Sequence, residues 1–202
     1  MPFCLFLCSW MALRLCSWMA LRPWRPCACI VLHLADCSGA VVSRYEFSDG
    51  AAKQAMEWRQ FEATLEYLDT VFLEQGPFDG VLGFSQGACV AAVLSAMLEK
   101  GSLPPNIKFD FAVLISGFLP RDARYSAICN PTCKIRQVRS LHVVGKSDDV
   151  VEPARSYKAA EIFERCEFVE HDKGHLVPSD KRVRDAIKAF ILASGPDAPD
   201  VC

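Results

Sequence analysis

Short apolar runs alternate with helix-forming segments from about residue 41 onward, and this alternation limits the fold more than any other feature of the sequence. The run "FDFAVLISGF" is almost entirely apolar, as expected of a strand that is covered on both faces. Strands that alternate with helices predict an α/β fold with a parallel sheet flanked by helices. The predicted strands are 80–84, 109–118, 140–145 and 167–171, and the predicted helices are 53–75, 86–100, 153–165 and 179–192.

The charge balance argues against two classes of partner. The 202 residues include 22 Lys and Arg against 24 Asp and Glu, for a net charge of −2. That balance gives no electrostatic footprint for nucleic acid, so we expect none as a partner. No apolar run reaches the length of a membrane span. The sequence leaves the oligomeric state open.

The cysteines are unevenly distributed, with six of the eleven in the first 37 residues. The closest pairs, Cys27 with Cys29 and Cys129 with Cys133, lack the two-pair spacing of a zinc site, so we expect no metal. Free or buried thiols in a reducing compartment are the better interpretation, and they favour the cytoplasm.

Residues 1–40 differ in character from the rest. The octapeptide "LCSWMALR" occurs at 7–14 and again at 15–22, and three arginines stand against a single acidic residue, Asp36. This composition fits an organellar targeting leader, and it fits an atypical or misassigned start equally well. Both interpretations stay open, and we expect the globular domain to span 41–202.

The segment "GVLGFSQGA" places Ser85 between a predicted strand and a predicted helix. A nucleophile elbow requires this context, because the tight turn exposes the serine hydroxyl above the sheet. Gly83 and Gly87 would make room where side chains collide, and the N–H of Gln86 could donate to an oxyanion. The alternative is a serine that caps the helix between two packing glycines.

A nucleophilic serine needs a histidine base and an acid that orients it, and in hydrolases of this type the order is serine, acid, histidine. Asp148 and Asp149 follow the strand that ends "LHVVG", and His175 lies in a glycine-containing loop after the last strand. Either aspartate could instead be a simple turn residue. His171 competes as the base, but it sits at the strand end itself.

Four stretches together resemble the FSH-type serine hydrolases: "GPFDGVLGFSQGA", "FAVLISGF", "LHVVGKSDDVV" and "GHLVP". The resemblance covers roughly residues 43–194. It implies a compact α/β-hydrolase that cleaves carboxylic esters or, as in some fungal members, thioesters of small molecules without a cofactor. It also implies that Ser85 is the nucleophile, His175 the base, and Asp148 rather than Asp149 the acid.

The N-terminal segment departs from this family. Members open with a strand that ends in a Leu-His-Gly type loop, whose backbone supplies a second oxyanion donor. Here "CIVLHLADCSG" has Leu32 and His33, but Leu34 stands where the family has glycine. The stretch also lies too near Ser85 in sequence to match the family's loop. We therefore expect the sheet to lack its usual first strands, including one beside the elbow strand, and activity to be weak. The alternatives are a non-catalytic family member and an esterase like the acyl-protein thioesterases and lysophospholipases.

Overall fold

The computed structural model describes residues 29–32, residue 58 and residues 61–194. The described chain forms one five-stranded sheet in the order β1-β2-β3-β4-β5, and every neighbouring pair is parallel. The predicted α/β class is therefore confirmed. The strands are β1 (Cys29–Leu32), β2 (Gly80–Phe84), β3 (Phe111–Ile115), β4 (Arg139–Gly145) and β5 (Cys166–His171).

Helices cover both faces of the sheet. One core cluster contains buried side chains of α1 and α2, and a second joins the sheet to α5. In the part of the chain that the structure describes, no helix combines the length and the apolar character needed to cross a bilayer. The helices are α1 (Phe61–Gln75), α2 (Gln86–Glu99), α3 (Ala123–Ser126), α4 (Pro153–Ala160) and α5 (Lys181–Ser194).

Backbone hydrogen bonds continue past the ends of the central strands and hold the first loop residues in place. The N–H of Ser85 donates to the carbonyl of Ile115 at 2.9 Å, and the N–H of Ser116 donates to that of Val143 at 3.0 Å. The residues just beyond β2 and β3 are therefore fixed to the sheet. Ligands of open α/β sheets bind at this carboxyl edge.

The expectation that no strand lies beside the elbow strand is wrong. Residues Cys29–Leu32 form β1 and pair in parallel with β2, with Leu32 opposite Gly83. Two parallel strands must be joined by a crossover connection, and α1 lies in the connection between β1 and β2. The sheet therefore begins inside the segment that we set apart as 1–40. The octapeptide repeat and residues 33–57 lie outside the described residues.

The predicted strand 109–118 is shorter in the structure and ends at Ile115. The next residue, Ser116, has a φ of 48°, which an extended strand cannot accommodate. The chain then turns across the carboxyl edge. This turn brings the half-buried Phe118 to the same edge as Ser85.

The predicted helix 153–165 ends early, at Ala160. Beyond it, Phe163 forms an isolated parallel bridge with Ile135, and both side chains are buried. Tertiary pairing of this segment with the loop before β4 replaces the last predicted turn of helix, since the pairing buries two large apolar side chains.

A buried carboxylate, Asp122, ties the loop after β3 to the chain before α1. Asp122 caps α3 by accepting a hydrogen bond from the N–H of Arg124 at 2.9 Å, and it also accepts one from the N–H of Trp58 at 2.7 Å. The Arg124 guanidinium donates to the same carboxylate at 2.8 Å and to the Trp58 carbonyl at 2.8 Å. These bonds lower the pKa of Asp122 to about 2.

We expect Asp122→Asn to lower the free energy of unfolding by about 1–2 kcal/mol at neutral pH. The figure is modest because Arg124 is 48% exposed. The pKa of Asp122 is lower in the folded state, so its stabilisation is present above the ordinary value of 3.8 and is lost toward about 2. Urea unfolding should therefore show a difference in the free energy of unfolding between parent and variant that becomes smaller as the pH falls. A difference that grew on acidification would contradict the role of the Asp122–Arg124 pair.

Candidate active site

The backbone of Ser85 adopts a conformation that residues other than glycine rarely occupy. Its φ is 54° and its ψ is −114°, at the junction of β2 and α2. A Cβ on Gly83 would lie 2.3 Å from the backbone carbonyl of Gly87, so a side chain at that position would push strand and helix apart. The sequence prediction of a sharp strand–turn–helix junction therefore matches the geometry.

The hydroxyl of Ser85 faces the loop after β5 instead of capping its own helix. Ser85 occupies the N-cap position of α2, yet its side chain forms no capping hydrogen bond. Its Oγ lies 3.0 Å from Nε2 of His175. The alternative of a capping serine does not describe this structure.

His175 is held from its other nitrogen by Asp148. The distance from His175 Nδ1 to Asp148 Oδ2 is 2.8 Å. The other carboxylate oxygen accepts hydrogen bonds from the N–H groups of Val150 at 3.0 Å and Val151 at 2.8 Å. Asp148 is 5% exposed, so these bonds replace the water that it has lost.

The environment of Asp148 favours its ionised form. Burial raises the pKa of this carboxyl, but the hydrogen bonds from Val151 and His175 lower it by more. The resulting pKa therefore lies below the ordinary value. The buried Ser116 hydroxyl lies close enough to contribute to the lowering, although its Oγ lacks the geometry of a hydrogen bond to any described partner. An ionised Asp148 keeps the Nδ1 proton of His175 directed toward it.

Two features place the His175 ring. The ring of Phe84 packs against it with centroids 4.8 Å apart. Gly145 lets the loop approach the end of β4, because a Cβ there would lie 2.7 Å from the carbonyl oxygen of Lys173 and 2.9 Å from that of Gly174. A side chain at position 145 would therefore displace the loop that carries His175.

The competing residues lie elsewhere. Asp149 is exposed. His171 is buried at the end of β5, where its Nδ1 accepts a hydrogen bond from the N–H of Lys173 at 3.3 Å. His142 is buried within β4, and burial lowers its pKa to about 3. Neither histidine forms a hydrogen bond with the Ser85 hydroxyl, which pairs with His175.

Gln86 is the first residue of α2, so its N–H has no acceptor one turn earlier in the helix. Such groups, at the positive end of the helix dipole, can stabilise a developing oxyanion. Within residues 61–194, no group of three His, Cys, Asp or Glu side chains is arranged to hold a metal ion. The side chains brought together are suited to acyl transfer by a serine nucleophile.

Comparison with known proteins agrees with this geometry. The model of a protein family described as "Serine hydrolase (FSH1)" matches residues 38–187. The chain belongs to this family. The resemblance to FSH-type hydrolases is thereby confirmed.

Several curated relatives carry esterase names. The chain is similar to Esterase OVCA2 of Xenopus tropicalis, with 38% identity over 58% of this chain and 49% of the relative. It is also similar to Esterase C25G4.2 of Caenorhabditis elegans, with 35% identity over 65% and 58%. The chain thus spans about half the length of these relatives. A solved structure, acyl-protein thioesterase 2 of Zea mays, is 20% identical over 64% of each chain, with a TM-score of 0.48.

Sequence reasoning missed several groups that support the site in this FSH1 family member. Phe84 lies inside the serine motif, but nothing in the motif shows that its ring packs on the histidine. Ser116, within "LISGF", and the N–H groups of Val150 and Val151 were also missed. The one signal in the sequence for these N–H donors was their position just after Asp148. Aspartate side chains commonly accept hydrogen bonds from backbone N–H groups about two residues later in the chain.

We expect Gly145→Ala to lower kcat/KM by about a hundredfold, because the added methyl group must displace the loop that carries His175. The expected loss of thermal stability is smaller than that of a core truncation. Gly174→Ala is the matched control, since its Cβ would meet the Ser147 carbonyl oxygen at the milder distance of 3.2 Å. Equal activity of the Gly145→Ala variant and the parent would contradict the claim that the loop carrying His175 packs directly against Gly145.

Proposed function

We propose that the protein cleaves a carboxylic ester or thioester of a small molecule through an acyl-enzyme on Ser85. The observation that carries the proposal is the continuous chain from Asp148 to His175 at 2.8 Å and from His175 to Ser85 at 3.0 Å. The esterase names of the two curated relatives support the same reaction class.

In the proposed reaction, Ser85 Oγ attacks the carbonyl carbon while His175 Nε2 accepts the hydroxyl proton. His175 then returns the proton to the departing oxygen or sulfur, and the acyl group stays on Ser85. A water molecule attacks the acyl-enzyme with His175 again as base, which releases the acid and restores the serine. Asp148 stabilises the imidazolium that forms in each half-reaction. These steps need no cofactor.

The oxyanion is expected to form at the N-terminus of α2, where the N–H of Gln86 supplies one donor. By family resemblance, we expect the second donor to come from the backbone of the loop that follows the family's opening strand. Leu32, the last residue of β1, pairs with Gly83, so β1 ends at the same edge of the sheet as β2. The expectation of a weak enzyme stays a prediction and depends on this loop, since loss of one donor costs about 10²–10³-fold in rate.

The described cysteines support a proposal for the cellular location. Cysteines 89, 129, 133 and 166 are all free in the described part of the chain. Free thiols are typical of a reducing compartment, so we propose a cytoplasmic location unless residues 1–40 direct the chain to an organelle.

We expect Ser85→Ala to abolish ester hydrolysis, because loss of a serine nucleophile lowers kcat by as much as about a million-fold. The measurement is turnover of 4-nitrophenyl and thioester substrates of increasing acyl length by parent and variant, with circular dichroism to verify folding. A folded alanine variant as active as the parent would remove Ser85 from the mechanism. An inactive, folded parent would instead indicate a non-catalytic family member.

We expect Asp148→Asn to lower kcat by about 10⁴-fold, since loss of the carboxylate leaves the histidine in the wrong tautomer. Asp149→Asn is the matched control and should stay close to the parent, because Asp149 is exposed and next in sequence. Steady-state kinetics on one ester compares the two. The reverse ranking would assign the acid to Asp149.

A further inference from the structure

A half-buried arginine, Arg155, lies at the carboxyl edge of the sheet and has no role in the proposed mechanism. It belongs to the first turn of α4, which begins at Pro153. The hydroxyl of the next residue, Ser156, donates to the carbonyl of Gly117 at 2.8 Å. This buried hydrogen bond fixes the start of α4 against the loop that follows β3.

The guanidinium of Arg155 stacks on an aromatic ring from that loop. Its central carbon lies 4.5 Å from the centroid of the Phe118 ring. Stacking holds the plane of the guanidinium, while its edge N–H groups remain able to form the paired hydrogen bonds that carboxylates and phosphates accept. Arg155 is thus oriented without using its donors.

Among the described residues, no carboxylate forms an ion pair with Arg155. Within the described residues, its one specific contact is the Phe118 ring. The nearby charges are mixed. Burial and the positive charge of Arg121 lower the pKa of Arg155, and the carboxylates of Glu152 and Asp148 act in the opposite direction. An arginine guanidinium stays protonated in proteins, so Arg155 can bind an anionic group of a ligand favourably.

This charge lies near the reacting atoms. Arg155 lies within electrostatic range of the Cys89 side chain and of the Asp148 carboxylate. Cys89 is one helical turn from the nucleophile, because its N–H donates to the carbonyl of Ser85 at 3.1 Å. Asp148 contacts His175, which contacts Ser85. A substrate bound at Ser85 could therefore extend along Phe118 to the guanidinium.

We propose that Arg155, stacked on Phe118, binds an anionic group of the substrate, a carboxylate or a phosphate, and so determines which esters the protein prefers. This inference rests on the proposed function. The anion has two sources with the same chemistry: a carboxylate at the far end of the acyl group, or a phosphate in the leaving group. The ring of Phe118 would contact the carbon chain between the anion and the reacting carbonyl.

Two substrate pairs separate these sources. For the acyl group, 4-nitrophenyl hydrogen adipate is compared with 4-nitrophenyl hexanoate, which has the same chain length without the terminal charge. For the leaving group, hexanoyl-coenzyme A is compared with the hexanoyl thioester of N-acetylcysteamine, which lacks the phosphates. The measured quantity is the ratio of kcat/KM for the anionic substrate to that for its neutral counterpart.

The variants are Arg155→Gln, Arg155→Lys and a charge-matched control, Lys100→Gln. Lys100 is exposed at the far end of α2, so its loss changes the net charge equally but away from the edge that holds Ser85. We expect Arg155→Gln to lower the ratio for at least one pair by about tenfold or more, as for a lost charge-assisted hydrogen bond. Arg155→Lys should keep part of the preference, and Lys100→Gln all of it.

A merely structural role for Arg155 would slow both members of a pair equally and leave the ratio unchanged. That result, or a parent that prefers neither anionic substrate, would overturn the inference while ester hydrolysis itself stood. A folded parent that hydrolysed none of the four substrates would instead overturn the proposed function, and the inference with it.

Discussion

The rest of the site depends on the turn that joins β2 to α2. Ser85 has a φ of 54°, and a residue with a side chain pays about 1–3 kcal/mol to hold such a conformation. The flanking structure opposes relaxation, because the Ser85 N–H is bonded to β3 and nearly every residue of α2 is buried. The strain therefore persists, and the hydroxyl stays above the sheet instead of turning back to cap its helix.

The second constraint on the site is the buried carboxylate of Asp148. Asp148 is almost inaccessible, so an ionised carboxylate there depends on partners that replace water. Two backbone N–H groups and His175 supply them, and they hold the imidazole between acid and serine. The hydrogen bonds that stabilise the buried carboxylate therefore also fix the orientation of the His175 ring.

Local patterns made most of this architecture predictable. The elbow follows from a strand, a turn and a helix that are contiguous in the chain, and the order of Ser85, Asp148 and His175 then limits the topology. Features that join distant segments were not predictable. β1 is only a four-residue run in an atypical segment, and the stacking of Arg155 on Phe118 requires a helix and a loop that sequence periodicity does not bring together.

The most direct test of the central claim is covalent labelling with a fluorophosphonate probe, followed by peptide mapping with mass spectrometry. The probe reacts with a serine only where a base activates the hydroxyl, so it reports the nucleophile independently of substrate choice. The account predicts one modified residue, Ser85, and strongly reduced labelling in a folded His175→Ala variant. A folded parent that stayed unlabelled, or carried the label on a different serine, would contradict it.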